Sequence, residues 1–404
     1  MTRFDSDSTQ DPMAGTLDGI RVLDLTTIYS GPIAASILGD QGADVVKIES
    51  PDGDFMRFGG NSEHNGVGGA FAMMNRNKRS IVIDLTLDEG RGVFETLVES
   101  ADVVIENYRP GVMERLKIGY ESLKRINPRL VFASINGVGH TGPYAKRRVY
   151  DAIVQSISGI GSLQADPATD RPLLINSLIC DKITSMTAAQ AIASALVARE
   201  RTGVGQRVDI AMLDSALFFL WPDNMLNYTF VGDERPHQGG RSHERMVHET
   251  RDGYICTMPV QRREWEGVFK ALDLPNLFED ERFRTQAALD SGLFRRTLDE
   301  GYASFDTDDL AGRLERHEVP FAIINPRDAV IDDPQVKAME ALLQFEHPVA
   351  GPMRQARPPA RFGETPSAIF RCSPELGEHT REVLRETGLS DDAITDLRAR
   401  KVVR

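Results

Sequence analysis

Short, near-continuous runs of valine and isoleucine recur along the first 140 residues, separated by helical patterns. This spacing constrains the fold more than any other feature. The runs are residues 21–26 (RVLDLT), 44–49 (DVVKIE), 80–85 (SIVIDL), 102–106 (DVVIE) and 130–135 (LVFASI). Strands that are apolar on both faces need cover on both faces, the environment of a parallel sheet with crossover helices. Residues 31–38 read as a helix opened by Gly31-Pro32, and residues 88–99 as a second with Val93, Leu97 and Val98 apolar. A longer, alanine-rich helix is predicted over about residues 182–201, closed by Gly203, with Asp181 directly before it. Residues 206–213 are a further strand candidate. Ligands of such sheets bind beyond the carboxyl ends of the strands. The loops to watch are therefore residues 27–30, 50–54, 86–87, 107–111 and 136–151.

Beyond this region the pattern changes. Residues 232–245 (GDERPHQGGRSHER) are polar and glycine-rich, as a linker or mobile loop would be. Residues 254–330 mix strand and helix patterns and read as a smaller domain. After Pro348 come several prolines, then a helical region from about Gly377 that returns to the first domain. The expected architecture is α/β: a Rossmann-like parallel-sheet large domain and a smaller α+β second domain. Its boundaries are 14–225, 226–335 for the small domain with its linkers, and 336–404 for the returning segment.

Composition excludes several classes of function. The 404 residues carry 60 acidic and 47 basic side chains, a net charge of -13, the wrong sign for a nucleic-acid binder. An anionic ligand must then be held by local cations or helix N-termini. Cys180, Cys256 and Cys372 are far apart and form neither a zinc knuckle nor a disulfide framework. His237, His243 and His248 share one segment at irregular spacing and read as a surface rather than a metal site. Phe218, Phe219 and Trp221 read as core or interface residues, and Cys180 as buried packing. No apolar run is long enough to cross a bilayer, and residues 1–12 form a polar lead-in without a secretory signal, so a cytoplasmic location is expected. After the first strand the chain reads TTIYSGPIAASILGDQG, with no G-x-G-x-x-G turn, and no P-loop occurs elsewhere. The fold class survives while NAD and ATP lose support.

Five blocks follow one another in order: GPIAASILGDQGADVVKIESPDGD, NRNKRSIVIDL, ADVVIENYRPGVMERL, NPRLVFASINGVGHTGPYA and RERTGVGQRVDIAMLD. Together they resemble the family III CoA-transferases, which include formyl-CoA and carnitine-related transferases and the alpha-methylacyl-CoA racemases. The resemblance is strong over residues 17–215 and returns in the tail at FGETPS and LGEHTREVLRETGLS. It implies an interlocked homodimer and coenzyme A or its acyl thioesters as substrate, with no permanently bound cofactor or metal.

By this resemblance Asp181, in LINSLICDKITSM, matches the family's nucleophile. An aspartate before a helix is ordinarily just its N-cap. At a nucleophile's position the carboxylate would attack a thioester, form a mixed anhydride and then an enzyme-bound CoA thioester. The matching ligand contacts are Tyr29 and Ser30 near the adenine, Ile83, Asp84, Leu85 and Thr86 at a strand end bordering the nucleotide, and Asn107, Tyr108 and Arg109 beside pantetheine and phosphates. Arg115, Arg148 and Tyr150 match further contacts. The basic runs at residues 75–79 and 146–148 are either phosphate ligands or solvated surface. Ser50 and Thr86 stand where relatives are often basic, so phosphate recognition departs from the family at these two positions.

The alternative activity is racemisation at the alpha carbon of an acyl-CoA. Racemases of the family carry His-Asp after GPYA, whereas this chain reads Tyr150-Asp151, and tyrosine is a poor base near neutral pH. The glycine-rich loop of oxalate-type transferases has no counterpart at residues 254–260, and Gly239-Gly240 nearby does not fit it. The acids exchanged are not legible from the sequence.

Overall fold

The computed structural model describes residues 2–3, 15–58, 63–166, 168–232, 246–283 and 292–404. His237, His243, Gly239, Gly240 and most of the predicted linker lie outside the described residues. Among the described residues, no helix is long and apolar enough to cross a membrane.

The chain divides into two compact units, one of residues 1–226 with 340–404 and one of residues 227–339. In the first, six parallel strands form one sheet: β1 (Arg21–Asp24), β2 (Asp44–Glu49), β3 (Lys78–Val82), β4 (Val103–Glu106), β5 (Val131–Asn136) and β6 (Arg207–Ala211). Their spatial order is β3-β2-β1-β4-β5-β6. The order reverses between β1 and β4, which makes their carboxyl ends the topological switch point of a doubly wound sheet. Helices α1 (Ser30–Asp40), α2 (Asp88–Glu99) and α3 (Asp151–Ser158) follow β1, β3 and β5, and α4 (Ile179–Thr202) precedes β6. Helix α5 (Met212–Asn224) continues directly from β6.

Both faces of the sheet are buried, as valine-rich parallel strands require. One face packs Leu23, Val46, Ile81 and Val104 against Phe94 and Leu97 of α2 and Val383, Leu384 and Ile394 near the C-terminus. The other packs Val22, Val45, Ile105 and Ala133 against Ala34, Ala35 and Leu38 of α1 and Ala188 and Ile192 of α4. Alanine dominates that second layer, so the helices approach the sheet closely.

The second unit carries a small antiparallel sheet of β7 (Val247–Glu249), β8 (Tyr254–Thr257) and β9 (Phe321–Ile323). Its core, around Phe269, Leu298, Tyr302 and Leu310, joins α6 (Arg262–Ala271), α7 (Leu293–Ala303) and α8 (Thr307–Arg316). His248 stacks on Tyr302 at 3.7 Å between ring centroids, and burial drives its pKa down to about 4. It is a neutral packing residue, not part of a solvated histidine surface. In the first unit, β10 (Leu342–His347) and β11 (Gly351–Ala356) form a hairpin, followed by α9 (Thr380–Glu386) and α10 (Asp391–Ala399).

The third strand starts two residues earlier than the sequence predicts, and the reason is electrostatic. Residues 75–79 are buried rather than solvated, and each cation meets a carboxylate from elsewhere in the chain. Arg76 pairs with Asp40 at 2.7 Å, Lys78 with Asp24 at 2.8 Å and Arg79 with Asp44 at 2.6 Å. None of these cations is available to a phosphate. At the centre, Lys78 also donates to Pro32 O and Asn75 Oδ1, at 2.9 Å each. Lys47, from β2, donates to Asp54 at 3.0 Å and to Thr26 O at 2.8 Å. Burial opposes ionisation of Asp24, yet the Lys78 and Lys47 charges outweigh it and hold its pKa below the ordinary carboxylate value. Burial and Lys47 together push Lys78 down to about 8, with Asp24 counteracting.

Removing one partner from a fully buried, hydrogen-bonded ion pair strands the other charge. Asp24→Ala is expected to destabilise the protein by about 3 kcal/mol, read as a lowered urea midpoint. An unchanged midpoint would mean that Lys78 finds compensation elsewhere.

Candidate active site at the switch point

The loop after β1 is held in a strained shape. Ile28 adopts φ +72°, a costly conformation for a β-branched residue. Its neighbours enforce it. Asp24 Oδ1 accepts the Thr26 N–H at 2.9 Å, and Lys47 fixes the Thr26 carbonyl. Asn107, following β4, accepts the Thr27 N–H at 2.9 Å and donates to the Thr27 carbonyl at 2.8 Å. One amide side chain thereby clasps the loops of both strands at the switch point. Gly31 is required immediately afterwards, because a Cβ there would sit 2.3 Å from the Thr26 side chain.

This loop delivers Ser30 to Asp181. The Ser30 hydroxyl donates to Asp181 Oδ1 at 2.7 Å, and Ser185, one turn along α4, donates to the Ser30 and Asp181 carbonyls at 2.8 and 2.7 Å. Helix α4 begins at Ile179, earlier than predicted, so Asp181 lies inside the first turn rather than before it. The residue at the cap is Leu178, and the Asp181 carboxylate faces Ser30 rather than capping the helix. Its own N–H is taken by Asp151 Oδ2 at 3.0 Å, while Asp151 Oδ1 accepts from Gln155 at 2.6 Å. Burial raises the Asp181 pKa above the ordinary value, the Ser30 hydrogen bonds oppose this, and the Asp151 charge adds to it. A carboxylate that is partly desolvated and held by one hydroxyl is more nucleophilic than one in water.

Asp181 opens into a cavity of about 290 Å³. The loops after β1, β4 and β5, the 145–150 segment and Met212 line it. Of the residues marked out by sequence, Tyr29, Ser30, Asn107, Tyr108, Arg109, Arg148, Tyr150 and Asp181 share this cavity. Arg147 joins them, so three guanidinium groups edge a site in a strongly acidic protein. Glu106 anchors the neighbouring loop: it accepts the Tyr108 N–H at 2.8 Å and the Ser134 hydroxyl, and burial raises its pKa to about 7.

Five expected positions are not in the cavity lining. Arg115 ends the short helix Val112–Arg115. Ile83, Asp84, Leu85 and Thr86 follow the outermost strand, where Thr86 closes onto Asp84 with its N–H at 2.9 Å. Sequence reasoning missed Asp151 as the residue that holds the Asp181 backbone; only its place beside Tyr150 pointed to it. Cys180 is fully buried, with burial pushing its thiol up to about 12, so it is packing rather than a nucleophile.

Residues 17–380 match CoA-transferase family III, and the chain belongs to that family. It is 34% identical to the succinyl-CoA:mesaconate CoA-transferase of Haloarcula hispanica, over 93% of this chain and 97% of the relative. It is 31% identical to the succinyl-CoA:glutarate CoA-transferase of Homo sapiens, over 96% of this chain and 90% of the relative. A CAIB/BAIF family protein from Brucella suis superposes with a TM-score of 0.81 at 34% identity, covering 93% of this chain and all of that one.

The Ser30 contact yields a signed pH prediction. A reaction that needs ionised Asp181 loses rate as pH falls through its raised pKa. Ser30→Ala removes a hydrogen bond to the charged form, so the acidic limb of kcat/KM is expected to move to higher pH while the alkaline limb stays. An unmoved acidic limb would show that Ser30 does not tune Asp181.

Proposed function

We propose that this protein transfers coenzyme A from succinyl-CoA, or a closely similar acyl-CoA, to a small dicarboxylic acid, with Asp181 as the covalent nucleophile. The observation that carries this reading is the partly desolvated Asp181 carboxylate, held by Ser30 and Asp151 at the mouth of an arginine-edged cavity. Several relatives at 31–34% identity are named as transferases between succinyl-CoA or succinate and mesaconate, glutarate or D-citramalate, which supports a dicarboxylate acceptor.

Asp181 attacks the thioester carbonyl, the C–S bond breaks, and CoA leaves as thiolate from a mixed succinyl–aspartyl anhydride. The thiolate attacks the Asp181 acyl carbon and expels succinate, leaving an aspartyl–CoA thioester. The acceptor carboxylate then attacks that thioester and expels the CoA thiolate, giving a second mixed anhydride, and the thiolate attacks the acceptor's acyl carbon and expels Asp181 as the free carboxylate. No proton is transferred in any step. Carboxylates are weak nucleophiles, so most of the acceleration comes from placing both reactants. Arg109, Arg147 and Arg148 supply charge for the CoA phosphates or the second carboxylate of the acid. Ser30, bonded to Asp181, borders the acyl group in this reading rather than the adenine, and Asn107 and Tyr108 border the pantetheine.

The protein works as a homodimer in this reading. Phe218 is 81% exposed and lies on α5 with exposed Phe219 and Trp221, while Met186 and Val197 are exposed on the adjoining α4. So large an apolar area is an interface rather than core. Sedimentation is expected to give the mass of two chains, and a monomer at micromolar concentration would refute this.

The decisive test of chemistry is intact mass after incubation with succinyl-CoA. Wild type is expected to gain a CoA-sized adduct that hydroxylamine removes, and Asp181→Ala to gain none. An adduct on Asp181→Ala, or alpha-proton exchange into deuterated water without any adduct, would replace the transferase mechanism with another.

A further inference from the structure

The hydroxyl of Ser30 is committed to one acceptor. It donates to Asp181 Oδ1 at 2.7 Å, and Ser30 is only 5% exposed, which leaves water little access to that bond. The pairing is also fixed from behind. Ser185 donates to the carbonyls of both Ser30 and Asp181, at 2.8 and 2.7 Å, and so ties the two backbones to one side chain. Ser30 opens α1 and Asp181 stands in the first turn of α4, so the positive ends of two helices meet at this carboxylate. The opposing charge is that of Asp151, whose Oδ2 accepts the Asp181 N–H.

A donor on Oδ1 divides the work between the two carboxylate oxygens. Oδ1 is held by Ser30, and Oδ2 is the oxygen that attacks. In the first step Oδ2 bonds to the thioester carbonyl carbon, the C–S bond breaks, and the electron pair leaves on the CoA thiolate. Oδ1 passes from a shared negative charge to the neutral carbonyl oxygen of the anhydride, and the Ser30 hydrogen bond weakens. In the second step the thiolate attacks Asp181 Cγ, a C–S bond forms, and the Cγ=Oδ1 electron pair moves onto Oδ1, which then bears a full negative charge. Collapse restores Cγ=Oδ1, breaks the Cγ–Oδ2 bond and releases the acid as its carboxylate.

Negative charge therefore develops at Oδ1 only in steps that pass through Cγ, and a donor already in place lowers those barriers most. The attack of the acceptor carboxylate on the aspartyl–CoA thioester is another such step.

We infer that Ser30 is a catalytic residue: its hydroxyl is the oxyanion donor for the tetrahedral intermediates centred on Asp181 Cγ, and not for those centred on the acyl carbon of the substrate. This rests on the covalent reading of Asp181 under the proposed function.

The decay of the aspartyl–CoA adduct isolates this role. Full-length wild type and Ser30→Ala are each incubated with succinyl-CoA until the adduct is complete, freed of small molecules and mixed with hydroxylamine. Hydroxylamine attacks Cγ, a C–N bond forms, the electron pair moves onto Oδ1, and collapse expels the CoA thiolate while the nitrogen proton passes to solvent. No acyl carbon of a substrate is involved. Ser30→Ala is expected to form the adduct more slowly and to lose it to hydroxylamine about a hundredfold more slowly than wild type, followed by intact mass. Ser30→Thr, which keeps the hydroxyl, is expected to restore most of the decay rate. After unfolding in urea the adducts of all three proteins should react alike.

A serine that only positioned the carboxylate would slow adduct formation and leave decay to a small external nucleophile unchanged. That result in Ser30→Ala, or a Ser30→Thr adduct as slow to decay as that of Ser30→Ala, would overturn the oxyanion role and leave Asp181 as the nucleophile. A wild type that forms no adduct on Asp181 would remove the covalent reading, and the role of Ser30 with it.

Discussion

Four buried charges crossing three parallel strands set the shape of everything above them. Asp24 of β1, Lys47 of β2 and Lys78 of β3 meet with Asp54 beneath the loop after β1, and each is fully or almost fully removed from water. Buried pairs of this kind contribute little net stability, because desolvation offsets most of the attraction. What they provide is direction. Each charge has only one satisfactory set of partners, and those partners include the Thr26 N–H and carbonyl. The strand register and the path of residues 26–30 are therefore decided together, and the strain at Ile28 is maintained from below by buried charges and from the side by Asn107.

From that loop the chain of placement runs through Ser30 to Asp181. The sheet contributes the switch point, Asn107 locks the two loops across it, and the first turn of α4 brings in the carboxylate. Asp151 holds the backbone at Asp181, while Ser30 donates to its carboxylate. Burial, with the Asp151 charge, raises the basicity of Asp181, while the Ser30 hydroxyl and the bond from its N–H to Asp151 restrict its geometry.

The strands were legible because both faces of a parallel sheet demand the same apolar residues, and β2 and α2 begin and end where residues 44–49 and 88–99 predict. Residues 75–79 were misread for the opposite reason. A basic run declares its charge but not its partners, and Asp40, Asp44 and Asp24 arrive from 35 to 54 positions away. Asp181 was recognisable only through several ordered blocks of similarity, since an aspartate near a helix start has a commonplace alternative. Asp151 carries no local signature beyond its place beside Tyr150. Its contact with Asp181 exists only once the fold has placed α3 beside α4.

Helix α4 is fastened at both of its ends. Near its start the Asp181 N–H is bound to Asp151, and near its finish the buried Arg199 grips Asp102 at 2.6 Å, while Asp102 also accepts the Arg21 N–H that opens β1. A strut anchored in this way can neither slide along its axis nor rotate without breaking a buried ion pair. The freedom needed to admit a bulky thioester, release one acid and accept another must then reside in the segments around the strut, chiefly the solvent-exposed stretch bearing Arg147 and Arg148. Changes in that stretch can reshape the entrance to the cavity while the Asp181 carboxylate stays where it is, so the two can evolve separately.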